Sequence, residues 1–419
     1  MEKLIIDGGK KLTGEVLISS AKNSILPIIA ACILSKEKCI IENAAMLHDV
    51  YVICEVLRDL GCQIDIDTMT NNISIDPGNI MLKEPNEEMV RKMRASFLIM
   101  GPMVARFGQF KISMPGGCNI GSRPIDLHLK GFKALGAEVD IGYGFVKVTA
   151  KKLVGNKIYL DFPSVGATEN IMMLAVMAKG ITTIENAAEE PEISDLAKFL
   201  NSMGAKISGA GTGAITIEGV SELRGSLYKP IFDRIEAGTY LVAAAITRSK
   251  IKLKGVSEEY LRPVISKLQE CGVAIELLED GIIADGSVAF RAADVKTMPY
   301  PGFPTDMQAQ MMSLLTLAQG TSVVTETVFE NRFMHVTELC RMGANIKIDG
   351  RVAIIDGVSR LTGTEVKASD LRAGAALILA ALAAEGRTVI NDVFHIDRGY
   401  VNIEGKLKGL GATIQRINI

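Results

Sequence analysis

Two hydrophobic patterns alternate along this chain of 419 residues. The first is a helical segment that is apolar on nearly every side, such as IEAGTYLVAAAIT at 235–247. The second is an amphipathic helical segment, such as ISDLAKFLNSMG at 193–204, which is followed by a strand of alternating apolar and polar residues. An all-apolar helix is typical of a buried position and an amphipathic helix of a surface. The pattern therefore predicts buried helices covered by surface helices and sheets.

This order of patterns occurs six times, and each copy has a glycine between its amphipathic helix and the next strand. The glycines recur at intervals of 68 to 75 residues and are Gly61, Gly136, Gly204, Gly272, Gly343 and Gly411. Glycine at this position is typical of a helix C-terminus in the left-handed conformation. We predict an α/β fold of six similar repeats, each a strand, a buried helix, a strand, a surface helix and one or two further strands. Helices inside and sheets outside are the reverse of a Rossmann arrangement.

The length of the chain favours two domains of three repeats each. The boundary is predicted within LRGSLYKPIFDRIE, near residue 230. The opening strand KLIIDGG precedes the first buried helix and needs a partner elsewhere, so a second crossing between domains is expected. We predict one domain at 22–230 and another at 231–419 plus 1–21.

Composition is that of an ordinary globular protein, with 48% apolar and 22% charged residues and a net charge of −2. This charge provides no general attraction for nucleic acid. The sequence shows no signal peptide, and its apolar stretches are shorter than the ~20 residues of a membrane span, so no membrane partner is expected. Seven cysteines without C-x-x-C or zinc spacing indicate a reducing, cytoplasmic protein without disulfides or a structural metal.

The chemistry is expected at the N-termini of the buried helices. Polar or charged residues stand there, namely Lys22-Asn23, Arg91 and Arg94, Ser164-Val165-Gly166, Asp233-Arg234-Glu236, Thr305-Asp306 and Asp370-Arg372. For Asp233 and Asp370 the favoured role is helix capping. Lys22 and Arg94 are unfavourable at the positive end of a helix dipole unless an anion binds there. Both sets of helix N-termini are therefore predicted to face one cationic cleft between the domains.

A second candidate is Cys118 in MPGGCNIGSRPIDLH. The glycines and Arg123 favour a reactive thiol, either nucleophile or proton donor, over a flexible turn with an incidental cysteine. A phosphate loop is rejected because its Lys-Ser/Thr pair is absent. A cysteine hydrolase with His128 is disfavoured because no orienting Asn or Asp stands out, and His48, His335 and His395 are interpreted as structural.

Two further residues each allow two interpretations. Asp306 in YPGFPTDMQAQ is either a helix N-cap or a base that faces the cleft. Arg398 in HIDRGYVNIEGKLKGLG either binds an anion or forms a salt bridge with Asp397 or Glu404.

Eight segments together resemble the UDP-N-acetylglucosamine enolpyruvyl transferase family along the whole chain. They are SSAKNSILP, RASFLIMGPMVARFG, MPGGCNIGSRPIDLH, SVGATEN, GFPTDMQAQ, VFENRF, SDLRAGAAL and HIDRGY. The resemblance implies a two-domain inside-out α/β barrel with its active site in the cleft between the domains. It also implies transfer of the enolpyruvyl group of phosphoenolpyruvate to the 3′-hydroxyl of UDP-N-acetylglucosamine, through a tetrahedral ketal and with release of phosphate. This is the first committed step of peptidoglycan synthesis, and it implies neither metal nor cofactor.

The resemblance also implies roles for individual residues. Lys22, Arg123 and Arg398 would hold phosphoenolpyruvate, Asn23 the sugar or the intermediate, and Arg94 the diphosphate. The uridine pocket would be formed by Arg123, Pro124, Ile125, Asp126, Leu127, Ser164, Val165 and Gly166. Val328 and Asp306 would contact the sugar, with Asp306 taking the proton of the 3′-hydroxyl. Arg332 and Arg372 would support closure or the residues around the site.

Several alternatives stay open. Cys118 would either protonate phosphoenolpyruvate or form a thioether with it, and it is the expected target of the epoxide fosfomycin. Phe162 stands where some relatives have a lysine that reaches the uridine phosphates. The shikimate branch shares this fold and chemistry but lacks the cysteine loop, and a scaffold without activity is the rival of a different class. The sequence leaves the oligomeric state open, and a monomer is compatible with it.

Overall fold

The computed structural model describes residues 2–114 and 125–418. The described strands are β1 Glu2–Asp7, β2 Thr13–Leu17, β3 Cys39–Ile41, β4 Gln63–Asp67, β5 Asn72–Asp76, β6 Gln109–Ser113, β7 Glu138–Gly142, β8 Phe145–Thr149, β9 Lys157–Tyr159, β10 Ile181–Glu185, β11 Lys206–Ser208, β12 Ala214–Glu218, β13 Leu227–Tyr228, β14 Lys250–Lys254, β15 Ala274–Leu278, β16 Gly281–Asp285, β17 Val295–Lys296, β18 Thr321–Thr325, β19 Asn345–Asp349, β20 Val352–Asp356, β21 Glu365–Lys367, β22 Arg387–Asn391 and β23 Thr413–Asn418.

The described α-helices are α1 Lys22–Ala31, α2 His48–Asp59, α3 Glu87–Lys92, α4 Met100–Phe107, α5 Asp126–Ala134, α6 Val165–Ala175, α7 Pro191–Ser202, α8 Arg234–Ile246, α9 Arg262–Glu270, α10 Gln308–Leu315, α11 Val336–Arg341, α12 Leu371–Ala383, α13 Phe394–Asp397 and α14 Ile403–Gly409. Short 3-10 helices span Cys32–Leu34, Arg94–Ile99, Glu258–Tyr260 and Thr305–Met307. None of the helices in these ranges combines the length and apolar content that a membrane span requires.

The chain divides into two compact units, one inserted into the other. The inserted unit comprises residues 20–114 and 125–231, and the flanking unit comprises residues 2–19 and 232–418. Each unit contains three sheets. Those of the flanking unit have the orders β21-β22-β1-β23, β15-β16-β14-β2 and β17-β18-β20-β19. Those of the inserted unit have the orders β11-β12-β10-β9, β13-β3-β5-β4 and β6-β8-β7.

At the two points where the chain passes from one unit to the other, the strand before the buried helix pairs within the unit that the chain is leaving. In three repeats that lie within one unit, the strand before a buried helix pairs in parallel with the strand after it: β9 with β10 around α6, β17 with β18 around α10, and β21 with β22 around α12. At the crossings, β2 precedes α1 but pairs in parallel with β14, and β13 precedes α8 but pairs with β3. Strand β1 pairs with both β22 and β23, so the opening strand predicted to need a distant partner has two.

Helices with few polar residues form the interior of each unit, as their sequences predict. In the flanking unit α8, α10 and α12 pack against one another. All thirteen residues of α8 are buried. In the inserted unit α4 packs on α6, where Gly101 lies against the backbone oxygen of Asn170 and leaves no room for a side chain. Outside, β14 buries Ile251 and Leu253 and leaves Lys250 exposed, which is the alternation of a sheet with one solvated face.

The local predictions at helix ends are confirmed. All six repeat glycines have φ between 93° and 105°, the left-handed conformation. Asp233 accepts from the backbone amides of Ile235 and Glu236 and so caps α8, and Asp370 caps α12 in the same way.

The second repeat differs from the single helix that its sequence predicts. There, α3 ends before Met93, which has extended backbone with φ −142° and ψ 121°, and a 3-10 helix precedes α4. Pro102 lies in the first turn of α4, where its missing N–H is tolerated. A continuous helix would place this proline in a helix interior, where it removes a hydrogen bond and its ring collides with the preceding turn.

Candidate functional site

The residues proposed for the site come from both units. The flanking unit holds Asp306, Val328 and Arg398. The inserted unit holds Lys22, Asn23, Arg94, Ile125, Asp126, Leu127, Ser164, Val165 and Gly166. Cys118, Arg123 and Pro124 lie outside the described residues, so their interactions stay predictions.

In the flanking unit, Asp306 is held by two arginines. Pro304 precedes the 3-10 turn that carries Asp306, and neither this turn nor α10 has a side-chain cap at its N-terminus. The carboxylate instead accepts from Arg332 Nη2 at its Oδ1 and from Arg372 Nη2 at its Oδ2, both at 2.8 Å. The interpretation of Asp306 as an N-cap is therefore wrong. Its two salt bridges stabilise the ionised form of the carboxylate.

Both arginine side chains are almost completely buried, with 4% of Arg332 and 5% of Arg372 exposed, whereas 26% of Asp306 is exposed. Burial acts to lower the pKa of Arg372, but the neighbouring charge of Asp306 outweighs burial, and the pKa of Arg372 is raised. The guanidinium of Arg372 also lies 5.9 Å from the ring centre of Tyr400. The arginines are thus fixed cations, and the carboxylate is the exposed member of the cluster.

Arg398 follows α13 directly, and sequence analysis offered Asp397 and Glu404 as its partners. Arg416 binds both of them. Its guanidinium donates to the two oxygens of Asp397 at 2.7 and 2.8 Å and to the two oxygens of Glu404 at 2.8 and 3.1 Å. Sequence analysis did not predict this arrangement, because Arg416 lies in the alternating strand β23, where an exposed arginine is expected.

In the inserted unit, Lys22 is paired with Asp49. The ammonium lies 2.6 Å from Asp49 Oδ2, and the exposed fractions of the two side chains are 11% and 3%. Lys22 begins α1 and Asp49 lies in the first turn of α2. The carboxylate thereby offsets part of the unfavourable position of a cation at a helix N-terminus. Asn23, the next residue, is partly exposed.

Residues predicted for the uridine pocket meet around His128. Asp126, Leu127 and His128 begin α5, and Val165 and Gly166 begin α6. Helix α5 packs on α6, and an added Cβ at Gly166 would lie 3.4 Å from the His128 ring. Ser164 caps α6 through Ala167 N. Phe162, two residues before Ser164, is 45% exposed.

His128 itself is a component of this cluster that sequence analysis considered only as a partner of Cys118. Burial, and then the charge of Arg94, lower the pKa of His128 to about 3. The ring is therefore neutral near pH 7, and its Nδ1 accepts from Asn170 Nδ2 at 3.2 Å. Its Nε2 then carries the hydrogen. The feature of the sequence that could have identified His128 is its position directly after the Arg-Pro-Ile-Asp-Leu run.

The depressed pKa of His128 predicts acid sensitivity. Below pH 6.5 the unfolded chain binds a proton that the folded ring does not bind until about pH 3. The stability of the folded state is therefore unaffected above pH 6.5 and falls as the pH decreases toward 3. Replacing His128 with phenylalanine should reduce the loss of unfolding free energy between pH 7 and pH 5 by about 2 kcal/mol.

Urea unfolding at each pH measures this difference. The control is His48→Gln, which removes an exposed histidine instead of a buried one. Equal pH dependence in wild type and His128→Phe would contradict a neutral, buried His128.

The described His, Cys, Asp and Glu side chains do not form a group of three or more that could hold a metal ion.

Comparisons with known proteins identify the family. The family model described as EPSP synthase (3-phosphoshikimate 1-carboxyvinyltransferase) matches residues 6–407. UDP-N-acetylglucosamine 1-carboxyvinyltransferase 2 of Clostridium tetani is 67% identical over 417 residues, and UDP-N-acetylglucosamine 1-carboxyvinyltransferase 1 of Clostridium acetobutylicum is 62% identical over 417 residues. Both alignments cover 100% of this chain and of the relative.

Solved structures agree with this. The enolpyruvyl transferase NikO from Streptomyces tendae superposes with a TM-score of 0.91 at 26% identity, covering 100% of this chain and 99% of that one. EPSP synthase from Acinetobacter baumannii, at 18% identity, covers 100% of both chains with a TM-score of 0.75 and shows the fold alone. The predicted fold class, the two-domain arrangement of six strand-helix repeats found in enolpyruvyl transferases, is confirmed. The chain belongs to the EPSP synthase family and, within it, to the UDP-N-acetylglucosamine 1-carboxyvinyltransferases.

Proposed function

We propose that this protein transfers the enolpyruvyl group of phosphoenolpyruvate to the 3′-hydroxyl of UDP-N-acetylglucosamine and releases phosphate. The proposal rests on the full-length identity of 67% with a UDP-N-acetylglucosamine 1-carboxyvinyltransferase, since a 1-carboxyvinyl group is the enolpyruvyl group. The reaction is the first committed step of peptidoglycan synthesis, and we place it in the cytoplasm. The active site is proposed to lie in the cleft between the two domains.

The charges of the substrates support this proposal. Phosphoenolpyruvate carries a carboxylate and a phosphate, and the sugar nucleotide carries a diphosphate. We assign Lys22, Arg123 and Arg398 to phosphoenolpyruvate; Lys22 would supply a positive charge, and each arginine can pair bidentately with carboxylate or phosphate. Arg94 is assigned to the diphosphate, and Asn23 to the sugar or the intermediate. No metal or cofactor takes part in the proposed reaction.

The uridine pocket is proposed to be formed by residues 123–127 and 164–166. The close packing of α5 and α6 supports this, because it brings Asp126 and Leu127 near Val165 and Gly166. Val328 is proposed to contact the sugar.

Addition followed by elimination accounts for the transfer. The 3′-hydroxyl oxygen bonds to C2 of phosphoenolpyruvate while its proton passes to Asp306, and C3 gains a proton to give a tetrahedral phospholactyl ketal. Loss of a proton from the new methyl group, with cleavage of the C2–O bond to phosphate, restores the double bond. Cys118 is proposed either to supply the proton to C3 or to form a covalent thioether with C2.

Phosphate release with each acceptor tests the function. We expect turnover with phosphoenolpyruvate and UDP-N-acetylglucosamine, and product whose mass equals that of the sugar nucleotide plus the enolpyruvyl group. The second candidate acceptor is 3-phosphoshikimate, which the description of the matching family model favours. Phosphate release with 3-phosphoshikimate alone would assign the protein to the shikimate branch of the family. No release with either acceptor would support a scaffold without activity.

A further inference from the structure

Glu326 is a buried carboxylate that the proposed reaction leaves without a role. It follows β18 directly, and only 1% of its surface is exposed. Its Oε1 accepts from Thr297 Oγ1 at 2.8 Å. The same oxygen accepts from the backbone amides of Val328 at 2.8 Å and Phe329 at 3.1 Å. Its Oε2 accepts from Thr305 Oγ1 at 2.9 Å.

These bonds connect two chain segments that carry proposed site residues. Thr305 is the residue before Asp306, and the Glu326 carboxylate therefore holds the turn on which the proposed base lies. Val328 belongs to the segment that continues to Arg332, whose guanidinium binds Asp306 Oδ1 at 2.8 Å. Segments 305–306 and 326–332 are thus joined twice, once through Glu326 and Thr305 and once through Arg332 and Asp306.

The strength of this connection follows from the burial of Glu326. Hydrogen bonds to an ionised acceptor are shorter and stronger than neutral ones. A buried carboxylate needs such donors to offset its loss of hydration. Removal of the carboxylate would in turn leave the hydroxyl of Thr305 and the amide of Val328 without their acceptor, which favours a rearrangement of both segments.

We propose that Glu326 is a positioning residue for the transfer reaction. It fixes the turn of Asp306 and the segment of Val328 in one arrangement, so that the base and the sugar contact keep a constant separation. The inference rests on the proposed function for its effect on turnover. Its structural part, the ordering of residues 304–308 by a carboxylate on another segment, does not depend on which acceptor the enzyme uses.

Hydrogen exchange of the folded protein tests the structural part. Met307 N donates to Pro304 O at 2.9 Å within the turn, and this amide reports on its order. We expect Glu326→Ala to increase exchange in a peptide covering residues 304–308 by about tenfold or more. The control is Glu338→Ala, because Glu338 accepts from Lys367 N and pairs with Arg341, away from this turn. Unchanged exchange in a folded Glu326→Ala variant would overturn the proposal.

A double-mutant cycle tests the effect on turnover. We expect Thr305→Val to lower kcat about tenfold and Glu326→Ala about a hundredfold, since small displacements of a catalytic group are costly. The two losses should not be additive, because both remove the same hydrogen bond. Thr297→Val is the comparison variant, since it removes another hydroxyl from Glu326, together with the acceptor of Thr327 N, but is not adjacent to Asp306. Glu326→Gln keeps an oxygen acceptor at the position of Oε1, so it should retain more activity than Glu326→Ala.

The outcomes separate this inference from the proposed function. If wild type turns over a different acceptor, the proposed function fails and the cycle is measured with that acceptor. If kcat losses for Thr305→Val and Glu326→Ala simply add, or if Thr305→Val equals Thr297→Val, Glu326 does not act through Thr305. If wild type shows no turnover, the exchange experiment alone decides whether Glu326 orders the turn.

Discussion

Replacing Asp306 with asparagine is expected to lower kcat by about a thousandfold, within the 10²- to 10⁴-fold that a general base contributes. The amide has nearly the same shape as the carboxylate but cannot accept the proton of a hydroxyl group. Because Asp306 is proposed to act on the reacting hydroxyl, its loss should change the KM for the sugar nucleotide much less than kcat. Steady-state phosphate release measures both constants.

A loss of stability has to be distinguished from this loss of catalysis. Asparagine leaves the buried guanidinium groups of Arg332 and Arg372 without a full counter-charge, so the thermal unfolding temperature should also fall. The control is Asp7→Asn, because Asp7 also binds an arginine, Arg387, through both carboxylate oxygens but lies in β1. A change confined to KM, with kcat within tenfold of wild type, would make Asp306 a binding residue rather than a base.

Replacing Cys118 with alanine is expected to abolish turnover while the protein remains folded. The proposed thiol supplies a proton or a bond at phosphoenolpyruvate, and alanine can do neither. Circular dichroism and binding of UDP-N-acetylglucosamine should be close to those of wild type, because Cys118 is not proposed to bind this substrate. A fully active Cys118→Ala enzyme would refute the assignment.

Fosfomycin gives a chemical test of the same thiol, with internal controls. Mass spectrometry should find one adduct per chain, on the peptide that contains Cys118. Burial raises the pKa of Cys54, Cys62 and Cys271 to about 12, so these cysteines stay protonated near neutral pH. Cys340 is exposed, so the extent of its modification measures the background reaction of fosfomycin with an accessible thiol. Equal modification of Cys340 and Cys118 would show that Cys118 has no special reactivity.

The sequence predicted the features of the fold that arise from local physics. The repeat glycines and the caps at Asp233 and Asp370 depend on backbone conformation within a few residues, and each is found as predicted. The interruption at Met93 was missed because hydrophobic content alone does not distinguish a continuous helix from a 3-10 turn followed by a new helix.

The site was less accessible to sequence reasoning because its contacts join distant segments. From its own surroundings Asp306 could be either a cap or a cleft residue, and the contacts that argue against a cap come from Arg332 and Arg372, 26 and 66 positions away. Glu326 is one of two glutamates in ETVFENR, and the neighbouring residues in the sequence do not indicate that it is the buried one. Charge and residue type indicated which chemistry to expect, whereas the hydrogen-bond and salt-bridge partners of these residues could be identified only from the three-dimensional structure.

The pairing of β1 and β2 has a consequence for how a ribosome makes this protein. In the flanking unit, Leu4 pairs with Arg416 and Ile390, and Val16 pairs with Leu253. Strands β1 and β2 are therefore translated long before their sheet neighbours, whereas the three sheets described within residues 20–114 and 125–231 take all their strands from that part of the chain. Unpaired strands are sites of aggregation, so β1 and β2 are expected to need protection by chaperones until those partners have been made.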